Sequence, residues 1–145
     1  MRLTAFHTPS LTHATAAHIH VARRWHLRTV LKFEPTNARM ALALADVLLR
    51  GALGKKKAAA AEAKGEAAKV VKDCFDRLVA RSKVGVWSEY EPGLAEFDKT
   101  AIAAAYRRLG AWLVQNGARQ VGKEVLAAAV GLDKASMRDF ARSEL

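Results

Sequence analysis

Acid is missing from the first 33 residues, and that absence divides the chain in two. Arg2, Arg23, Arg24, Arg28 and Lys32 stand there with no Asp or Glu before Glu34. Residues 34–145 hold the other 19 basic and all 14 acidic side chains, so each part contributes +5 to a net charge of +10. A body that grips RNA phosphates broadly carries Lys and Arg well in excess of acid. Here the larger part is only mildly basic, and the isoelectric point near 10.2 overstates the case for nucleic acid.

Cysteine is almost absent as well. Cys74 alone excludes an internal disulfide and any cysteine-built metal site, and its position on an apolar stripe suits a small buried residue rather than a reactive thiol. Aromatic residues make up only 7% of the chain while the hydrophobic fraction is 51%, much of it alanine, a balance that favours close-packed helices over sheet. No run approaches the ~20 apolar residues of a membrane-spanning helix; the best, Ala41 to Leu49, is interrupted by Asp46. The five histidines, His7, His13, His18, His20 and His26, include no pair three or four apart, the spacing that would put two metal ligands on one helical face. Nothing supplies a nucleophile with its base or a phosphate-cradling loop, so we expect no catalysis, cofactor, metal or small-molecule substrate.

What is present is helical, and at 145 residues it suffices for one modest core. The chain is organised around Lys55 to Ser82, a long helix that changes character halfway. Its first half is Ala, Lys and Glu, strong helix formers with no bulk to bury; the lysines Lys55 to Lys57 there read as a solvated helix start. Its second half sets Val71, Cys74, Phe75, Leu78 and Val79 at three- and four-residue spacings, an apolar stripe opposite Lys72, Asp73, Asp76 and Arg77. We read Val71, Phe75, Leu78 and Trp87 as partner-docking residues.

Residues 1–33 have the composition of a mitochondrial transit peptide, basic, hydroxylated and acid-poor. They are expected to be a matrix-targeting signal retained as a structural arm. Pro35 biases Glu34 out of the helical region, and Thr36 or Asn37 can cap the next helix. That helix should run from Ala38 to Leu53, burying Met40, Leu44, Val47 and Leu48 with Arg39, Asp46 and Arg50 toward water, and Gly54 should turn left-handed after it. Gly85 should end the long helix. The connector VGVWSEYEPGLAEFD holds Trp87, Tyr90, Leu94 and Phe97, expected to close the core, a Pro92-Gly93 turn, and a solvated acidic patch of Glu89, Glu91, Glu96 and Asp98. Asp98 should cap a helix with the stripe Ile102, Tyr106, Leu109 and Leu113, ended by a left-handed turn at Asn116-Gly117. A shorter helix from Arg119 to Val130 should stop at Gly131, with Asp133 capping a last one that carries Met137 and Phe140.

The stretch Lys123 to Arg142, KEVLAAAVGLDKASMRDFAR, resembles a helix-turn-helix. Small Ala127 would let two helices cross, and a left-handed Gly131 would set their angle. The resemblance implies base-reading by Lys134, Ser136, Arg138 and Arg142 on the second helix. Asp133 and Asp139 would face the same phosphates and repel them, and any tight helical hairpin needs the same small residues.

The expected fold is all-α, a bundle of five or six helices with one long central helix (34–145) and a basic N-terminal arm (1–33). The expected function is that of a non-catalytic accessory subunit of a large mitochondrial assembly, a respiratory-chain or ATP synthase complex, in the matrix or on the matrix face of the inner membrane. Its partners would be other protein subunits, with anionic lipid or rRNA as further candidates for the basic arm. The alternative is a mitochondrial ribosomal protein contacting rRNA; a helix-turn-helix DNA-binding protein is the second.

Overall fold

The computed structural model describes residues 12–84 and 95–144, with side chains from 19 to 81 and from 99 to 144. Six α-helices and no strand occur among them: α1 (Thr12–Phe33), α2 (Ala38–Gly51), α3 (Lys57–Val84), α4 (Ala95–Gln115), α5 (Arg119–Leu132) and α6 (Met137–Ser143), with a single 3-10 turn at Lys134–Ser136 before α6. The protein is an all-α bundle whose longest helix is α3. Gly85, the acidic connector residues Glu89 and Glu91, the Pro92-Gly93 turn, Trp87, Tyr90, Leu94 and the side chains of Glu96, Phe97 and Asp98 lie outside the described residues.

Two antiparallel helical hairpins make the body. In the first, Asn37 caps the start of α2: its side-chain oxygen accepts from Met40 N at 3.1 Å while its side-chain amide donates to Glu34 Oε2 at 2.9 Å. This satisfies an amide that the helix start leaves without an intrahelical partner. Gly54, at φ +79°, then swings the chain into α3. On α3 burial begins at Ala67 and runs through Val71, Cys74, Phe75 and Leu78, the four- and three-residue steps of one helical face. The stripe lies against Ala41, Leu44, Val47 and Leu48 of α2 and against α4.

In the second hairpin Gly117, at φ +93°, closes the turn, and Ala118 N donates to Leu113 O at 2.9 Å, the left-handed stop that glycine permits without a Cβ clash. Ile102, Tyr106, Leu109 and Leu113 are buried as their spacing requires. The hairpins are pinned together by the Phe75 and Tyr106 rings, edge to face with centroids 4.8 Å apart, and by Trp112, whose Nε1 donates to Asp46 Oδ1 at 2.9 Å.

Several local expectations need correction. Helix α4 begins at Ala95, so Asp98 sits in its first turn and not at its cap. Helix α5 runs through Gly131 to Leu132; Gly131 has no positive φ and nothing lies within 4 Å of where its Cβ would be. The helix stops because Asp133 is extended (φ −148°, ψ 116°) and its carboxylate accepts from Ala135 N at 3.0 Å, capping the 3-10 turn. Ala127 is exposed, and the close crossing lies elsewhere. A Cβ on Gly122 would come within 2.8 Å of both Gly110 O and Val114 N, so α4 and α5 meet backbone to backbone at Gly110 and Gly122.

Cys74 is 3% exposed and burial pushes its thiol up to about 11 from 9.0, since a low-dielectric site disfavours the thiolate. The folded chain therefore holds the thiol proton more tightly than the unfolded chain. That contribution is fully present below pH 9 and is lost as pH climbs toward 11. We expect a disulfide-exchange reagent at pH 8 to label the native protein slowly and the urea-unfolded protein at one equivalent. Equal rates would show Cys74 to be accessible.

Candidate functional site

The long helix's stripe docks within its own chain. Val71, Phe75 and Leu78 are 0%, 9% and 4% exposed, enclosed by α2 and α4, so they form core and offer no surface to a partner. The first half of α3 is also less empty than its composition suggests, since Ala67 is fully buried. Alanine there serves as close-packing filler. Trp87 lies outside the described residues.

The base-reading set does not share a surface. Lys134, Arg138 and Arg142 are exposed, but Ser136 is wholly buried, and apolar Met137 is 53% exposed. The cause is the 3-10 turn, which begins the segment after Asp133 with a tighter pitch and rotates Ser136 inward and Met137 outward. Phe140 is half-buried. Helix α6 spans only seven residues; Arg119 Nη2 donating to Ser143 O at 3.1 Å ties its end to the start of α5.

The residues that composition assigned to an arm contain the surface with most to offer. From Thr12 onward they are helical, and α1 is fastened along α2. Leu27 is 6% exposed and Leu31 packs against the core. His20 Nε2 lies 2.8 Å from Val47 O, donating there in the tautomer that protonates it. A Cβ on Gly51 would crowd that ring at 3.0 Å. Arg28 pairs with Glu66 of α3, an exposed bond that orients more than it stabilises.

Opposite this anchored face stands a second set of apolar side chains. Ile19 is 61%, Val21 56%, Trp25 68% and Phe33 83% exposed. Ile19, Ala22, Trp25, His26, Thr29 and Phe33 follow one another at three, four and seven residues, which aligns them along the outer side of the helix. Arg23 borders them on one edge, and Arg28 and Lys32 on the other, while half-buried Arg24 belongs to the anchored side. Helix α1 thus has two apolar faces, only one of which is covered among the described residues. His26 is exposed and His20 serves the α1–α2 contact; the side chains of His7, His13 and His18 lie outside the described residues. Among the described residues no group of three metal-ligating side chains comes together, and no helix is long and apolar enough to cross a membrane.

Comparison with models of known families, with curated proteins and with solved structures finds no match.

Proposed function

We propose that the chain is a non-catalytic accessory subunit of a large mitochondrial assembly, of the respiratory chain or ATP synthase, and that it docks onto a protein partner through the outer face of α1. The observation that carries this reading is the exposed Trp25, with Val21 one turn before it and Arg28 and Lys32 one and two turns after it. A helix anchored on α2 that leaves Trp25, Phe33, Ile19 and Val21 in water, rimmed by cations, has the makeup of an interface centre: Trp and Arg dominate binding energy, and contiguous exposed apolar surface marks interaction sites. With Arg28 held by Glu66 of α3, and Arg23 and Lys32 in none of the ion pairs among the described residues, the edges of the face remain net positive, and the complementary surface is apolar with an acidic border. The acid-free leader composition of residues 1–33 supports a mitochondrial destination.

The test is a native gel of detergent-solubilised mitochondria, probed for the wild type and for the double variant Val21→Ser, Trp25→Ser. Both positions are exposed, so the fold should lose no more than about 0.5 kcal/mol at each, while co-migration with a large complex should disappear. Absence from purified mitochondria, migration of the wild type at monomer size, or normal assembly of the variant would defeat the proposal. Co-sedimentation with ribosomal subunits that vanishes on RNase treatment would hand the face to rRNA instead.

A further inference from the structure

A second surface, sharing no residue with α1, lies between α4 and α6. It is an open groove of about 590 Å³ whose lining includes Arg107 and Arg108 of α4 and Asp139 and Arg142 of α6, over an apolar floor that includes Val114 and Leu126. Its unusual member is Arg107. The side chain is half-buried, and its Nε is shut off from solvent with no hydrogen-bond partner. Buried donors are almost always satisfied, because an unsatisfied one forfeits its hydration for nothing. Asp139 lines the same groove, yet none of the ion pairs among the described residues joins it to an arginine.

We propose that this groove binds a phosphate group carried on an apolar body, with Arg107, Arg108 and Arg142 around the phosphate and Val114 and Leu126 under the apolar part. Three guanidinium groups against one carboxylate leave the groove net positive. The planar fork of arginine matches a phosphate's oxygens two at a time, and Arg107 Nε, shut off from solvent as it stands, gains an acceptor only when the side chain turns into the groove toward the ligand. The apolar floor distinguishes the site from a simple counterion patch, since free phosphate would leave it uncovered. The source of the phosphate is either an anionic phospholipid or a free phosphate compound, and binding assays separate the two.

The probes are a short-chain phosphatidic acid (dihexanoyl) held below its micelle concentration, inorganic phosphate, and an uncharged dihexanoyl glycerol. The readouts are calorimetric affinity and the ligand-induced rise in melting temperature. Phosphatidic acid should bind, more weakly as salt rises, and the uncharged glycerol should not. Inorganic phosphate binding at least tenfold weaker than phosphatidic acid would identify the lipid as the source; binding as tight as phosphatidic acid would overturn the role given to the apolar floor and leave a free-phosphate site. The variant Arg107→Met should keep the ligand-free melting temperature or raise it, because it removes an unpaired buried donor, and should lower affinity at least tenfold. Asp139→Asn should tighten binding several-fold by removing the opposing charge. Failure of both phosphate probes to bind, binding unchanged in Arg107→Met, or a ligand-free melting temperature that collapses in that variant would each overturn the assignment, the last by showing that Arg107 is structural.

Discussion

Replacing Phe75 by alanine should cost roughly 3 to 5 kcal/mol of folding stability, the usual loss for removing a buried aromatic ring into a partly collapsed cavity. The ring is 9% exposed and meets Tyr106 edge to face at 4.8 Å, an arrangement worth about 0.5–1.5 kcal/mol beyond its area. Lys72 Nζ stands 5.2 Å from the ring centre, a minor, solvent-screened addition. Because Phe75 belongs to the first hairpin and Tyr106 to the second, the loss falls on the contact that joins them. Small domains hold only about 5–15 kcal/mol in total, so a large share of stability would go, and cellular abundance with it. Urea unfolding would measure the change as a lower midpoint at unchanged slope. A loss below about 1 kcal/mol would mean that the ring does not seat between α3 and α4. Tyr106→Phe keeps that ring contact and should lose far less, which separates packing from the hydroxyl.

Where burial follows helical spacing the sequence was a good guide, and where it depends on which helices meet it was not. Val71, Cys74, Phe75 and Leu78 on α3, like Ile102, Tyr106, Leu109 and Leu113 on α4, are legible because three- and four-residue steps put them on one face whatever lies opposite. Gly54 and Gly117 are legible because each comes just after the end of an apolar stripe, where only a left-handed residue lets the chain turn back. The same spacing could not say that the α3 stripe meets its own chain rather than a partner. Helix α1 was hidden by having apolar residues on opposite sides: Leu27 and Leu31 point inward, Trp25 and Phe33 outward, so the one-sided pattern that announces a surface helix is missing. Arg107 stands next to Tyr106 in sequence but is only half-buried on α4, and nothing local marks its Nε as lacking a partner. Gly110 and Gly122 lie on opposite sides of the Gly117 turn and become neighbours only when the hairpin closes.

That glycine pair gives the second large effect. Gly122→Ala should destabilise the fold by about 1–2 kcal/mol even though alanine is the better helix former. Two terms compete. Propensity favours alanine by up to about 1 kcal/mol inside a helix, while forcing a methyl group into a packed contact costs typically 1–3 kcal/mol. Crowding wins here because of what the new Cβ meets: Gly110 O and Val114 N, each at 2.8 Å. Both are backbone atoms, which can yield only if the whole of α5 moves away from α4. Val114 Cγ2, at 2.6 Å, can at least rotate. Gly131→Ala is the control on the same helix. It has empty space around the added methyl and no positive φ, so the propensity term acts alone and the variant should gain up to about 1 kcal/mol, diminished by its place near the helix end. At this chain length 1 kcal/mol moves the melting temperature by a few degrees, so the two variants should melt on opposite sides of the wild type. If Gly131 instead turned left-handed to separate two helices of a DNA-reading pair, its alanine variant would melt lower. If Gly122→Ala melted higher, the two helices would not cross at Gly110 and Gly122.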